Sequence, residues 1–192
     1  GFGRQRMSLP GESLSNLIRY QVGAAQGMAR SMGAEVRHLK LHGALANMAS
    51  EDKGMALMCY RAALSVSPNL IVVVLAGTAQ EAAVCELGCA AACEIFADRA
   101  YNNDATLLDR SQPGAVIHDA SRAATRMVEM IRAGAIITIK GKHIPTRIDT
   151  ICLHGDTPDA VSIARSTKKE LEDIGVLVSR FPGAPIHRQV GG

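Results

Sequence analysis

Apolar positions along this chain fall into two alternating patterns. At 13–32 they recur every three or four residues, through Leu14, Leu17, Ile18, Val22, Ala25, Met28, Ala29 and Met32, which is the period of one helical face. Gly33 predicts the end of that helix. A strand is predicted at 35–41, then a helix over 44–67 with a break around 50–53, before Pro68 and Asn69 turn the chain. The run 70–76 is rich in β-branched residues and apolar at every position, as a strand covered on both faces requires. A short helix at 79–87 leads to a strand at 93–97, and 98–114 is polar and irregular, longer than a plain connection. Helical spacing returns at 121–133, through Ala124, Met127, Val128 and Ile131. Strands are predicted at 135–139 and 149–153, a helix at 157–174, and a last strand at 176–178. Strands alternating with helices predict an α/β fold with parallel pairing and right-handed crossovers.

Several of the predicted strands stop at a knot of reactive polar residues. Lys40, His42 and Gly43 follow the first, Gly77 and Thr78 the second, Asp98 and Arg99 the third, and His154, Gly155 and Asp156 close the strand at 149–153. In a sheet of parallel strands the carboxyl ends share one side, so these tips are expected to converge on one pocket.

Composition narrows the picture. A chain of 192 residues, 47% hydrophobic, can bury one substantial core, so one domain is expected over 1–192 with a loose tail from about 181. The net charge of +3, from 21 basic and 18 acidic residues, argues against nucleic acid as a partner. No apolar run approaches the roughly 20 residues of a membrane span, and no signal core follows the first residues. Five cysteines, an odd number without paired spacing, favour a reducing and hence cytoplasmic compartment. Cys85, Cys89 and Cys93 lack a fourth ligand at zinc-finger spacing and read as small buried thiols. Neither a G-x-S-x-G elbow nor a Gly-x4-Gly-Lys-Ser/Thr loop occurs.

The strand-end residues suggest chemistry. Lys40 and His42 share one side of their strand, and Gly43 permits close backbone approach; an ammonium beside an imidazole suits an anionic substrate or developing negative charge. The alternative is a surface lysine and a hydrogen-bonded histidine. His154 and Asp156 suit phosphate or metal binding near a helix start, although Asp156 before Thr157 and Pro158 equally suits a plain N-cap. Asp98 and Arg99 end a strand and are aimed by the sheet, whereas Asp104 and Asp109 read as solvated loop charges. Arg110 with Ser111 and Gln112 offers a guanidinium fork and neutral donors for carboxylate or phosphate.

An ordered set of motifs then carries a resemblance. Gly1-Phe-Gly-Arg, Arg37-His-Leu-Lys-Leu-His-Gly-Ala-Leu45, Glu94-Ile-Phe-Ala-Asp-Arg99 with Tyr101-Asn102, Arg110-Ser-Gln-Pro-Gly-Ala-Val116 and Asp149-Thr-Ile-Cys-Leu-His-Gly-Asp-Thr-Pro158 resemble the LamB/YcsF family, from the first residue to about Val178. The resemblance implies an irregular (β/α) barrel of the glycoside hydrolase/deacetylase type. Family members begin with a further segment bearing motifs that this sequence does not contain, so the barrel is expected to lack its N-terminal strands in this chain. Leu41, Ala46 and Ala105 depart from the family's usual proline, tyrosine and glycine. The implied activity is ATP-dependent opening of 5-oxo-L-proline to L-glutamate together with separate B and C subunits, with Mg accompanying ATP and homo-oligomers allowed.

On that reading Lys40, Arg99, Arg110, Ser111 and Gln112 meet phosphate or substrate carboxylate. His42 and His154 exchange protons, with Asp98 or Asp156 orienting them; the metal is left open. A metal-dependent deacetylase or hydrolase of a carbohydrate or amide, and a non-catalytic scaffold role, are the alternatives.

Overall fold

The structure, a computed structural model, describes residues 3–156 and 158–186. Gly1 and Phe2 of the first motif, Thr157 of the last, and the tail beyond 186 lie outside the described residues. By contacts the chain forms two compact units, one built on residues up to Val74, on Thr78–Ala92 and on the segment from Gly183, the other on Leu75–Gly77 and Cys93–Pro182.

In the first unit, helix α1 (Gly11–Ser31) buries Leu14, Ile18 and Val22, together with Gln26. The Gln26 amide donates to Val36 O and Ser67 Oγ and its oxygen accepts from Val36 N, so this buried polar group is spent on holding the entry to strand β1 (His38–Lys40). The predicted break at 50–53 is real: α2 (Gly43–Glu51) gives way to α3 (Lys53–Val66), and the Asp52 carboxylate caps α3 by accepting from Met55 N. β1 pairs in parallel with β2 (Ile71–Leu75), Lys40 lying opposite Val73. Every residue of β2 is buried. Helix α4 (Ala79–Leu87) starts on Thr78, whose hydroxyl accepts from Gln80 N. The Tyr60 hydroxyl donates to Gln80 Oε1 at 3.0 Å, and Gln80 Nε2 donates to Ala46 O at 2.7 Å, a buried chain linking α3, α4 and α2.

The loose tail expected from Phe181 is instead held as far as Ile186. Ala184 exchanges both backbone hydrogen bonds with Ala91, at the start of β3 (Ala91–Phe96), and Ile186 is buried. The strand Thr150–Cys152 lies beside β3 only from Glu94 onward, and the tail pairs with Ala91, the first residue of β3, ahead of it.

In the second unit β3 pairs in parallel with β6 (Thr150–Cys152), Phe96 opposite Cys152. On the other side of β3, the Ala76 N–H, just past the end of β2, reaches Glu94 O. Helix α5 (Ala120–Ala133) is capped by Asp119, which accepts from Arg122 N at 2.6 Å, and buries Ala123, Ala124, Met127, Val128 and Met130. It packs on α6 (Ala160–Asp173), which buries Ile163, Thr167 and Leu171.

Two expectations fail here. The strand predicted at 135–139 does not extend a parallel sheet: β4 (Ala135–Ile137) pairs antiparallel with β5 (His143–Pro145), a hairpin. Residues 176–178 form no strand, and Leu177 and Val178 are exposed; three apolar residues after a helix find no neighbouring strand to pair with. Among the described residues no helix is long and apolar enough to cross a membrane.

Candidate active site

The parallel register of β3 and β6 builds the site. Since Phe96 lies opposite Cys152, two more residues along each strand bring Asp98 opposite His154 and turn both side chains to the same face. In a regular continuation the His154 N–H would reach the Ala97 carbonyl. Instead it donates to Asp98 Oδ2 at 3.2 Å, and the His154 ring places Nδ1 2.8 Å from Oδ2 and 3.0 Å from Oδ1 of the same carboxylate.

The Asp98 side chain is 4% exposed and that of His154 27%, so the carboxylate is sealed while the imidazole keeps an outlet. The Phe96 ring lies 5.5 Å from the imidazole, centre to centre, tilted by 33°. Burial by itself would raise the Asp98 carboxyl, but the ring bond, the charge and the backbone bond from His154 together outweigh it and hold the group below the usual carboxylate range. An ionised carboxylate can only accept, so Nδ1 carries a proton and Nε2 of the neutral ring holds the lone pair. That is the geometry of an oriented general base.

Asp98 is fixed on its main-chain side as well, its carbonyl accepting from Ile117 N at 2.9 Å. Arg99, one residue on, is buried. Its guanidinium donates to Leu108 O at 2.6 Å and to Ala115 O at 3.4 Å, so it braces the irregular loop after β3. Burial lowers its pKa, with the nearby Arg110 charge adding to that. Phosphate binding by Arg99 would have to compete with both carbonyls.

Arg110 lies exposed and forms an ion pair with Asp156 at 3.3 Å. Asp156 is therefore not the N-cap of α6; the helix opens at Ala160, after Asp159. Desolvation opposes ionisation of Asp156, but Arg110 outweighs it and lowers the carboxyl. The Ser111 N–H and hydroxyl both donate to Asp109 Oδ1, and Gln112 N donates to Asp109 O, so Arg110, Ser111 and Gln112 sit on a tight exposed turn. Asp104 shapes its own stretch of loop in the same way, accepting from the Thr106 N–H and hydroxyl.

Lys40 and His42 lie in the first unit. Lys40 ends β1 and is half-buried, and His42 is the exposed residue before α2. Gly43 does what its position suggested, with φ +60 and the Gly3 carbonyl against the place a Cβ would occupy; Ala44 N donates to Gly3 O at 2.7 Å.

Cys85 and Cys89 are half-buried rather than buried, and Cys93 is buried; all are reduced thiols. Among the described residues no three His, Cys, Asp or Glu side chains gather as a metal ion would require. Arg110, exposed and paired with Asp156, has the guanidinium fork that a phosphate or carboxylate would suit.

The sequence reading missed Arg126, Tyr101 and Asp149 as site-shaping residues. Asp149 Oδ2 accepts from Cys93 N and from Arg147 Nε, each at 2.7 Å, and ties β6 to β3. The signal for Arg126 was present: it stands three residues after Ala123 and four before Met130, within the stripe that α5 buries.

A parallel α/β sheet with an Asp and a His paired at the carboxyl ends of adjacent strands places the protein in the β/α-barrel class. More particularly, the LamB/YcsF family profile matches residues 1–185, and the chain belongs to that family. It is 63% identical over 181 residues to the 5-oxoprolinase A subunit of Ruegeria pomeroyi, covering 94% of this chain and 72% of that relative. The 5-oxoprolinase A subunit of Nitrobacter hamburgensis is 46% identical over 185 residues, covering 96% and 72%. The crystal structure of the lactam utilization protein from Thermus thermophilus superposes with a TM-score of 0.83 at 35% identity, over 94% of this chain and 72% of that one. The α/β barrel-type fold expected from the motifs stands.

Proposed function

We propose that this chain is a subunit of a 5-oxoprolinase, opening the lactam of 5-oxo-L-proline to L-glutamate. The observation that carries the reading is the sealed Asp98 carboxylate gripping His154 through Nδ1 while the ring keeps 27% side-chain exposure, in a chain 63% identical to a 5-oxoprolinase A subunit. A five-membered lactam is a poor electrophile, because attack must break amide resonance and expel a basic nitrogen. Expelling the basic nitrogen is a problem of proton placement, while the resonance is what activation of the lactam oxygen would weaken.

His154 Nε2 takes a proton from the attacking water as the new C–O bond forms, and the imidazolium so produced is stabilised by Asp98. The same proton is then available to the ring nitrogen as the C–N bond breaks, so the open product leaves as an amine and a carboxylate. Arg110 on its exposed turn, flanked by Ser111 and Gln112, would hold the substrate carboxylate or a phosphate. ATP, with Mg, would supply activation of the lactam oxygen by phosphorylation; after the C–N bond breaks, the phosphoryl group would remain on the carboxyl oxygen and be released as inorganic phosphate by a second water. Lys40 and His42, at the end of β1, are proposed as a further cation and a further proton-exchange group. B and C subunits complete the enzyme on this reading, and the reduced cysteines suit a cytoplasmic setting.

The test is turnover of 5-oxoproline by the chain assembled with its partner subunits. His154→Ala is expected to lower turnover by about 10²-fold or more, the usual scale for a positioned acid or base, and His42→Ala tests the proton-exchange role proposed for that residue. Parent-level turnover in His154→Ala would end the proposal for that residue.

A further inference from the structure

The two residues before Asp98 take side-chain partners at the end of β3. On one side the Ala76 N–H donates to Glu94 O. On the other side Ala97 N still reaches Cys152 O, but the His154 N–H goes to the Asp98 carboxylate instead of the Ala97 carbonyl. Backbone groups this deep in the protein require partners.

Two side chains supply them. The Tyr101 hydroxyl, fully buried, accepts from Phe96 N at 2.7 Å. Arg126 reaches across from α5, and its Nη1 is shared between Phe96 O at 3.4 Å and Ala97 O at 3.3 Å. Its guanidinium carbon also sits 5.6 Å from the centre of the Tyr101 ring, a cation–π distance. The two groups therefore support each other.

We propose that Arg126, backed by Tyr101, is a positioning residue for catalysis: it holds the Phe96 and Ala97 carbonyls and so sets the strand end from which Asp98 grips His154. The purpose rests on the reading of Asp98 and His154 as the reacting pair, while the clamp itself does not. A surface arginine would serve no such end, and an arginine in the apolar stripe of α5 carries a desolvation cost that lowers its pKa. It is retained against that cost by carbonyls at a single place, the two residues preceding Asp98.

Arg126→Met keeps the length and the apolar stem but removes the donors. Imidazole nitrogen NMR of the chain reads the tautomer of His154 directly. The parent is expected to show the proton fixed on Nδ1, and Arg126→Met to show exchange between the two tautomers. In the assembled enzyme kcat is expected to fall about 10²-fold, the scale of an ångström-sized misplacement, with KM nearly unchanged. Arg126→Lys, which restores one donor, should recover part of both.

Should Arg126→Met fail to fold, Tyr101→Phe tests the same clamp while keeping the ring, and must likewise loosen the Nδ1 preference. A folded Arg126→Met, or Tyr101→Phe in its place, with the parent's fixed tautomer overturns the clamp. Loosened tautomers with undiminished turnover leave the clamp standing and overturn the catalytic role of the pair.

Discussion

Replacing Asp98 by asparagine keeps the shape of the side chain and removes its charge. The parent carboxylate serves two donors of one residue, the His154 ring at 2.8 Å and the His154 backbone N–H at 3.2 Å. Both donors meet Oδ2, and Oδ1 lies 3.0 Å from the ring nitrogen. An asparagine oxygen in the Oδ2 place still accepts from both but sets its NH2 against the Nδ1–H, and in the Oδ1 place it sets its NH2 against the backbone N–H. Either way one N–H opposes another. Leaving a buried donor unmet costs about 1–3 kcal/mol, and the desolvation cost no longer borne by the charge offsets part of it. A net loss of about 1–2 kcal/mol is expected, with no discount for screening because the side chain is 4% exposed. Urea unfolding followed by circular dichroism measures it.

The pH dependence is a second signature of the same contact. The Asp98 carboxyl is held below the usual range, so its contribution is complete above the ordinary carboxylate pKa of about 3.9 and is lost as pH falls through the lower folded-state value. The gap between parent and variant should therefore be full at neutral pH and close in acid. Turnover of the assembled enzyme should drop about 10²- to 10⁴-fold, since the ring loses both its tautomer and the anion beside its imidazolium. An Asp98→Asn chain within about 0.5 kcal/mol of the parent at neutral pH, with a gap that ignores acid, would refute the reasoning.

Two other outcomes test the packing. The Thr167 hydroxyl is buried in α6, 3% exposed for the residue as a whole, without a hydrogen-bond partner; Thr167→Val should stabilise by about 1 kcal/mol, and a loss of that size in thermal unfolding would show that the hydroxyl is satisfied in solution. Gly183 has φ +71 and a Cβ there would lie 2.6 Å from the Ile71 side chain, so Gly183→Ala should cost about 2 kcal/mol or more and speed proteolysis of the tail; an unchanged unfolding midpoint would mean that the tail is not seated on β2.

Much of the fold was legible along the chain because it rests on local periodicity. Helices α1, α4 and α5 and strand β2 follow from apolar spacing that a helix face or a doubly covered strand demands, and the break predicted around 50–53 falls where the structure shows Asp52 capping α3. The hairpin of β4 and β5 was not legible: the pairing direction of two three-residue strands depends on where the chain returns, and three residues carry no period. The seated tail was missed for the same reason, since Ala184 pairs with Ala91 across more than ninety residues.

By itself the sequence determined which residues end strands, and hence that Asp98 and His154 were candidates for chemistry; the strand period and the motifs of the family are written in consecutive positions. Only the tertiary structure decided that these two grip each other, that Arg99 is spent on loop carbonyls, that Asp156 faces Arg110 instead of capping α6, and that Arg126 lies under the strand end. The physical reason is that hydrogen-bond partnership is a property of register and burial. One residue's slip between β3 and β6 would leave the composition and every motif intact and put His154 on the opposite face of the sheet from Asp98.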